Sequence, residues 1–180
     1  MCRALELRGV RKRFVAGVSG CLASADVLRG IDLDVDSSES IAIVGRPGAG
    51  KSTLLLCAAG LLRPDSGGVS WFGESAPVGA ALRTSYCFSV PDLATIDRNG
   101  EARVYFIDLP PTVGMSGALA EWIADRCESG SAVVVAARDE RFVRSAVDRV
   151  FVLSGGGLIP ARTIHSRVAE SVSIERAPFC

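Results

Sequence analysis

Ile41-Ala42-Ile43-Val44-Gly45-Arg46-Pro47-Gly48-Ala49-Gly50-Lys51-Ser52-Thr53 is the stretch on which the fold turns. Its first four residues are continuously apolar, which predicts a central strand of a parallel sheet covered on both faces. Gly45 to Ser52 then match G-x-x-x-x-G-K-[ST] at every fixed position, and Thr53 follows. Glycines in such a loop let successive backbone N–H groups turn inward around phosphate oxygens, and the helix that follows aims its positive end at the same place. Lys51 is spaced to reach the β- and γ-phosphates, and Ser52 to offer its hydroxyl to Mg²⁺. Arg46, Pro47 and Ala49 fill the variable loop positions, and Arg46 is assigned no separate role. From Lys51 to Leu62 the chain is apolar nearly all round, as in a buried helix, and Arg63 to Gly68 stops it with turn residues.

Around this centre the pattern alternates strands with helices, which predicts an α/β fold with a parallel sheet. Val27 to Val35 alternates apolar with polar, and Ala4 to Val10 does so less cleanly, so the start of the chain predicts an antiparallel layer at one edge of the fold. Val69 to Phe72, Thr84 to Phe88, Val104 to Asp108, Ala132 to Ala137 and Val150 to Leu153 read as strands. Ser116 to Cys127 and Asp139 to Val147 read as helices, the second with Phe142, Val143 and Ala146 inward, and Asp92 to Gly100 reads as a loop. Trp71 and Trp122 fall in these patterns as packing residues. The expected organisation is one domain over residues 1–160, with a tail from 161 to 180 that contains the solvated His165. A phosphate loop works with an acid that holds Mg²⁺ from the end of a neighbouring strand, and Asp108 stands at such an end. The same residue also reads as a strand-ending cap.

Composition narrows the function classes. The chain has 180 residues, 48% apolar and 22% charged, with twenty basic and twenty acidic side chains. That excludes a disordered chain and a nucleic-acid binder driven by bulk charge. Only Lys12 and Lys51 are lysines, so a Lys inside the glycine loop is less easily background. The six cysteines form no C-x-x-C pair, and one His cannot complete a zinc site with them. The start, MCRALELRGVRKRF, lacks the apolar core of a secretory leader, and the longest strongly apolar run, Leu54 to Leu62, is too short to span a bilayer. The expectation is a reducing cytoplasm with inert thiols. A mean hydropathy of +0.31 is high for an isolated domain and suggests surface covered by a partner.

The order of these motifs resembles the ATP-binding subunit of ABC transporters. The resemblance runs through Val27–Val35, Ile41–Gly60 with its Walker A loop, Gly60–Gly67, and Asp148–Leu153 with the glycine turn after it. It implies a P-loop core, ATP and Mg²⁺ as ligands, a membrane permease or other membrane protein as partner, and pairing with a second ABC-type subunit or a second copy. It implies a peripheral place at the inner face of the cell membrane through that partner. It also puts Phe14 where the family stacks an aromatic on adenine, although a core or surface Phe reads equally well there.

Several of the family's parts are absent. Ser89 stands where the family has a nucleotide-sensing Gln. Only Val90 to Arg103 separate it from the Walker B strand, which leaves no room for the helical subdomain and its signature. Leu109 replaces the Glu that polarises the attacking water, Met115 replaces an Asp, and Arg138 replaces the switch His. Leu153-Ser154-Gly155-Gly156-Gly157 looks like the signature but follows a strand after Walker B, so it reads as a hairpin turn. The expectation is therefore nucleotide binding with weak or absent hydrolysis, in a regulatory or scaffolding subunit. Two alternatives stand beside it: an active ATPase using Asp139, Glu140 or Glu101 as base, and a structural interaction protein with a relic loop.

Overall fold

Ile41, Ala42, Ile43 and Val44 are all buried in the computed structural model, which describes residues 3–18, 21–75, 84–88, 103–110 and 116–163. They belong to β3 (Ser40–Val44), which is held in parallel register between β8 (Ala132–Ala137) and β9 (Arg149–Ser154). β7 (Val104–Asp108) extends the sheet beyond β8, and β6 (Thr84–Phe88) beyond β7, both in parallel. β10 (Gly157–Thr163) closes the other side, antiparallel to β9, to give the order β10-β9-β3-β8-β7-β6. Residues 89–103 are all that join β6 to β7, and the two strands pair directly. Among the described residues no helical subdomain stands between them.

The apolar strands need cover on both faces, and each face has it. On one side lies α1 (Lys51–Ala58), whose Leu54, Leu55, Cys57 and Ala58 pack on Ile41, Ile43, Phe106 and Val134. On the other lies α2 (Gly117–Glu128), whose Leu119, Ile123 and Cys127 join Ala42, Tyr105, Ile107, Val133 and Val135. Ser116 caps α2, its side chain accepting from Leu119 N at 3.2 Å. Trp122 meets Tyr105 edge to face at 5.1 Å between ring centroids.

The antiparallel layer takes a different place from the expected edge. β1 (Arg3–Val18), β2 (Cys21–Asp36), β4 (Ser66–Trp71) and β5 (Glu74–Ser75) form a second sheet, ordered β2-β1-β4-β5. Its inner side chains, among them Leu5, Leu7, Leu28, Ile31 and Leu33, cover α1 from above, so α1 is sandwiched between two sheets. This accounts for a helix apolar nearly all round. Trp71 seals the layer, its indole N–H donating to Ala58 O at 2.9 Å.

Four boundaries also differ from the sequence reading. α1 stops at Ala58, because Gly60 turns to a φ of 71° and Leu61 and Leu62 both donate back to Leu56 O. β4 begins at Ser66, inside the expected turn. The helix expected over Asp139 to Val147 is only a 3₁₀ turn, Glu140–Phe142. Val143 and Val147 do bury, but Asp139 is extended and the chain must reach Asp148, whose carboxylate accepts from both N and Oγ of Ser40. Finally, β10 pairs as far as Thr163, three residues past Pro160. The expected loop at Asp92–Gly100, together with Ser89, Glu101, Met115 and His165, lies outside the described residues.

Candidate functional site

Parallel pairing brings three strand ends together. Val44 of β3 lies opposite Ala137 of β8 and Val152 of β9, while Ala136 lies opposite Asp108 of β7. The loop leaving β3, Asp108, and the residues that follow β8 therefore emerge at one edge of the sheet. Ligands bind at the carboxyl ends of open parallel sheets for this reason.

The loop itself is a tight construction. Ala49 N donates to Arg46 O at 3.1 Å, and Gly48 and Gly50 take φ values of 79° and 100°, the left-handed region that glycine enters without penalty. A side chain at Gly50 would come within 2.6 Å of Val27 Cγ1, and one at Gly45 within 2.6 Å of Leu153 O. The loop is thus wedged between β2 and the β9–β10 hairpin. α1 begins directly after Gly50 with no side-chain cap and no acid in its first turn. Its leading N–H groups and the helix dipole together favour an anion.

Lys51 folds back along the loop, Nζ donating to Gly45 O at 2.7 Å and to Arg46 O at 3.1 Å. Burial pushes its pKa below the ordinary lysine value, and the charge of Asp108 partly opposes that shift. Asp108 is buried, and Ser52 and Thr53 sit half-buried in the first turn of α1. Among the described residues no cluster of three or more His, Cys, Asp and Glu stands ready to hold a metal. A Mg²⁺ ion would accordingly rely on Ser52, Asp108 and phosphate oxygens, which is how that ion is usually bound.

A cleft of about 590 Å³ opens alongside the loop. Gly45, Arg46, Pro47, Gly48 and Ala49 form one wall, Arg138, Asp139 and Glu140 a second, and Val152 to Gly155 the third. Lys51, Ser52 and Asp108 do not line this cleft. Phe14 is not part of the cleft either. It pairs with Ala25 on the β1–β2 ribbon, 44% exposed, with Lys12 Nζ 5.6 Å from its ring centre.

The residues in place of the missing machinery have definite positions. Leu109 N donates to Ala136 O at 3.0 Å, and its side chain is buried in the apolar layer with Leu119 and Ile123. Arg138 is exposed on the cleft wall. The glycine string after β9 is a hairpin turn, with φ of 58° at Gly155 and 80° at Gly156; two positive φ values in a row are what a tight hairpin requires. Sequence reading treated Asp139 and Glu140 only as alternative bases and missed their partners. Asp139 accepts from Arg141 N at 3.0 Å and pairs with its guanidinium at 2.8 Å, and Glu140 pairs with Arg144 at 3.4 Å. The spacing of Glu140 and Arg144, four residues apart, was the available signal.

The stretch that carries the loop is similar to known proteins. The family described as ABC transporter matches residues 28–105, which include the loop and stop just short of Asp108. An aliphatic sulfonates import ATP-binding protein, SsuB 1 of Mesorhizobium japonicum, is 35% identical over 134 residues, 67% of this chain and 46% of that protein. A macrolide export ATP-binding/permease protein, MacB of Nitrosomonas europaea, is 49% identical over 70 residues, 39% of this chain and 10% of that one. The chain thus spans less than half the length of these curated relatives. In fold it is similar to a nucleotide-free ATP-binding cassette from an ABC transporter, with a TM-score of 0.68 at 14% identity, covering 90% of this chain and 92% of that one. It is also similar to an ATP-binding cassette in its ADP conformation, with a TM-score of 0.69 at 14% identity over 88% and 90% of the two chains. Loop, strand order and sequence agree that this chain is a relative of the ATP-binding subunits of ABC transporters, without their helical subdomain.

Proposed function

We propose that the chain binds Mg-ATP at residues 45–53, with Ser52 and Asp108 toward the metal, and hydrolyses it slowly or not at all. In this reading it regulates or scaffolds a membrane transport assembly, docked on a permease or another membrane protein, alone or with a second ABC-type subunit or copy. The observation that carries the reading is the pairing of an intact loop with a buried Leu109. Phosphate recognition depends on main-chain donors, Lys51 and Mg²⁺. Activation of the attacking water depends on an acceptor, which an aliphatic side chain cannot supply. A bound nucleotide would then act by favouring one conformation of the assembly over another.

A membrane partner fits a chain in which, among the described residues, no helix is long and apolar enough to cross a bilayer. Phe14 is proposed as the adenine contact only on the resemblance, since the cleft does not include it.

The reading of an active ATPase has one observation in its favour, that Asp139 and Glu140 line the cleft. Against it, Arg141 holds the Asp139 carboxyl down at about 2, which makes it a feeble base, and Glu140 is engaged by Arg144. Calorimetric titration with Mg-ATP, paired with an assay of phosphate release, tests the choice. The proposal expects binding that is lost in Lys51→Ala and release no faster than that variant's. No binding in the wild-type chain contradicts it.

A further inference from the structure

A second cavity, of about 350 Å³, opens on the antiparallel sheet where β1, β2 and the start of β4 meet. It shares no lining residue with the phosphate loop or with the cleft beside that loop. Four cations border it, Arg11, Lys12, Arg13 and Arg29, against two acids, Asp26 and Asp65. The acids are already engaged. Asp65 accepts from Lys12 Nζ at 2.8 Å on one carboxylate oxygen and from Arg13 N at 2.6 Å on the other. Asp26 accepts from Arg13 Nε at 2.6 Å on one oxygen and from a terminal nitrogen of Arg13 at 3.3 Å on the other. These bonds match Lys12 and Arg13 and leave two guanidiniums over.

The remaining two are direct neighbours. Arg11 of β1 lies opposite Arg29 of β2, and both residues are exposed. Among the described residues neither side chain enters a hydrogen bond or an ion pair. Asp26 is held below the usual carboxyl range chiefly by the hydrogen bond from Arg13. The charges of Arg29 and Arg11 act on it in the same direction, so both guanidiniums lie within electrostatic reach of one carboxylate. Like charges directly opposite each other across a strand pair are destabilising, yet the fold makes room for these. A Cβ at Gly30 would stand 3.3 Å from a terminal nitrogen of Arg11, and one at Gly156 would stand 2.7 Å from Cγ of Arg29. Each arginine therefore lies against a glycine. Their backbones are fixed as well: Arg11 O accepts from Asp65 N at 2.9 Å, and Arg29 N donates to Gly156 O at 2.8 Å.

From this pairing we propose that Arg11 and Arg29 form a second anion site, which takes a phosphate-type dianion, either free phosphate or the phosphomonoester headgroup of a lipid, between their guanidiniums. The inference goes beyond the nucleotide reading and does not depend on it. A dianion between the two forks replaces their repulsion with two charge-assisted contacts, and the planar guanidinium suits phosphate geometry. The cavity falls within the range of small-molecule sites, about 300–1,000 Å³. A neutral or cationic group would leave Arg11 and Arg29 opposed, so the site discriminates by charge.

Arginine Nε–H resonances of the full chain, recorded in the Lys51→Ala background, test the site as inorganic phosphate is added at constant ionic strength. Arg11→Gln and Arg29→Gln assign the two resonances, and both variants, at exposed positions, are expected to fold. Saturable shifts are expected at both arginines, with the affinity read at the remaining one falling roughly tenfold in either variant. Chloride at the same ionic strength is expected to move neither resonance. No shift with phosphate, an equal shift with chloride, or an affinity unchanged by either variant overturns the inference. Sedimentation with vesicles of equal parts phosphatidylcholine and phosphatidic acid separates the two sources. Binding that phosphate displaces and both variants lose assigns the lipid headgroup; a saturable phosphate shift without sedimentation assigns free phosphate. A wild-type chain that shows the shifts but binds no Mg-ATP supports this site and overturns the nucleotide reading alone.

Discussion

The backbone N–H of Leu109 donates to the carbonyl of Ala136 at 3.0 Å. That bond carries the contact between β7 and β8 one residue beyond Asp108. It commits the Leu109 side chain to the apolar layer under α2, with 4% of its surface exposed. The position where relatives are expected to hold their catalytic acid is thus part of the core here.

It follows that Leu109→Glu does not restore hydrolysis. A carboxylate in that layer has no partner and must be desolvated, so the variant is expected to lose about 3 kcal/mol of stability or more. Leu109→Met, close to volume-conserving, is expected to cost under about 1.5 kcal/mol. Urea denaturation of both variants measures this, and a stable Glu variant that releases phosphate faster than wild type contradicts the account.

Gly45 is closed by its neighbour. A methyl group there meets the Leu153 carbonyl at 2.6 Å, and backbone cannot step aside as a flexible side chain can. Gly45→Ala is expected to cost about 1–3 kcal/mol through overpacking and to weaken Mg-ATP by displacing the loop. Thermal melts and nucleotide titration check both parts, and wild-type affinity in this variant would separate the loop from binding.

The two-sheet sandwich can be tested at Trp71. Trp71→Phe keeps an aromatic ring but leaves the buried carbonyl of Ala58 without the indole donor seen at 2.9 Å. A loss of about 1–3 kcal/mol is expected in chemical denaturation. An unchanged midpoint means that the upper sheet is not locked to α1 in this way.

The Asp139–Arg141 pair sets a pH response with a definite sign. The carboxyl sits at about 2, below its ordinary value of 3.8, chiefly because the Arg141 side chain bonds to it. A depressed carboxyl stabilises the fold fully above the unfolded value, and that contribution is lost as the pH falls from near 4 through about 2. Near neutral pH the pair adds no pH dependence. In Arg141→Gln the Asp139 carboxyl is expected to titrate close to 3.8, as followed by carbon NMR of the side chain. A titration that stays near 2 assigns the shift to another group.

How much of this was legible in the sequence depended on how local each signal was. β3, the loop and α1 were legible because an apolar run, glycines at fixed spacing and an apolar helix each leave a mark within a few residues. Asp108 was placed correctly at a strand end for the same reason. The full length of β1 and β2 was not, because register shifts near Leu7, Val10 and Lys12 break the period-two alternation that marks a strand. The stacking of their sheet over α1 was also hidden, since alternation says which side is apolar but not what covers it. Asp139 to Val147 looked helical because Phe142, Val143 and Ala146 fall at the spacing of one helix face. What decides against a helix is distant: Asp148 must meet Ser40 on the neighbouring strand.

The central claim joins an intact grip on a nucleotide to a lost means of breaking it, and one paired measurement bears on both. Wild-type chain and Lys51→Ala are titrated with Mg-ATP in a calorimeter, and the same samples are then assayed for released phosphate over hours. The account predicts saturable binding by the wild type, none by Lys51→Ala, and phosphate release indistinguishable between them. Steady release by the wild type that disappears in Lys51→Ala, or no heat of binding in either, contradicts it.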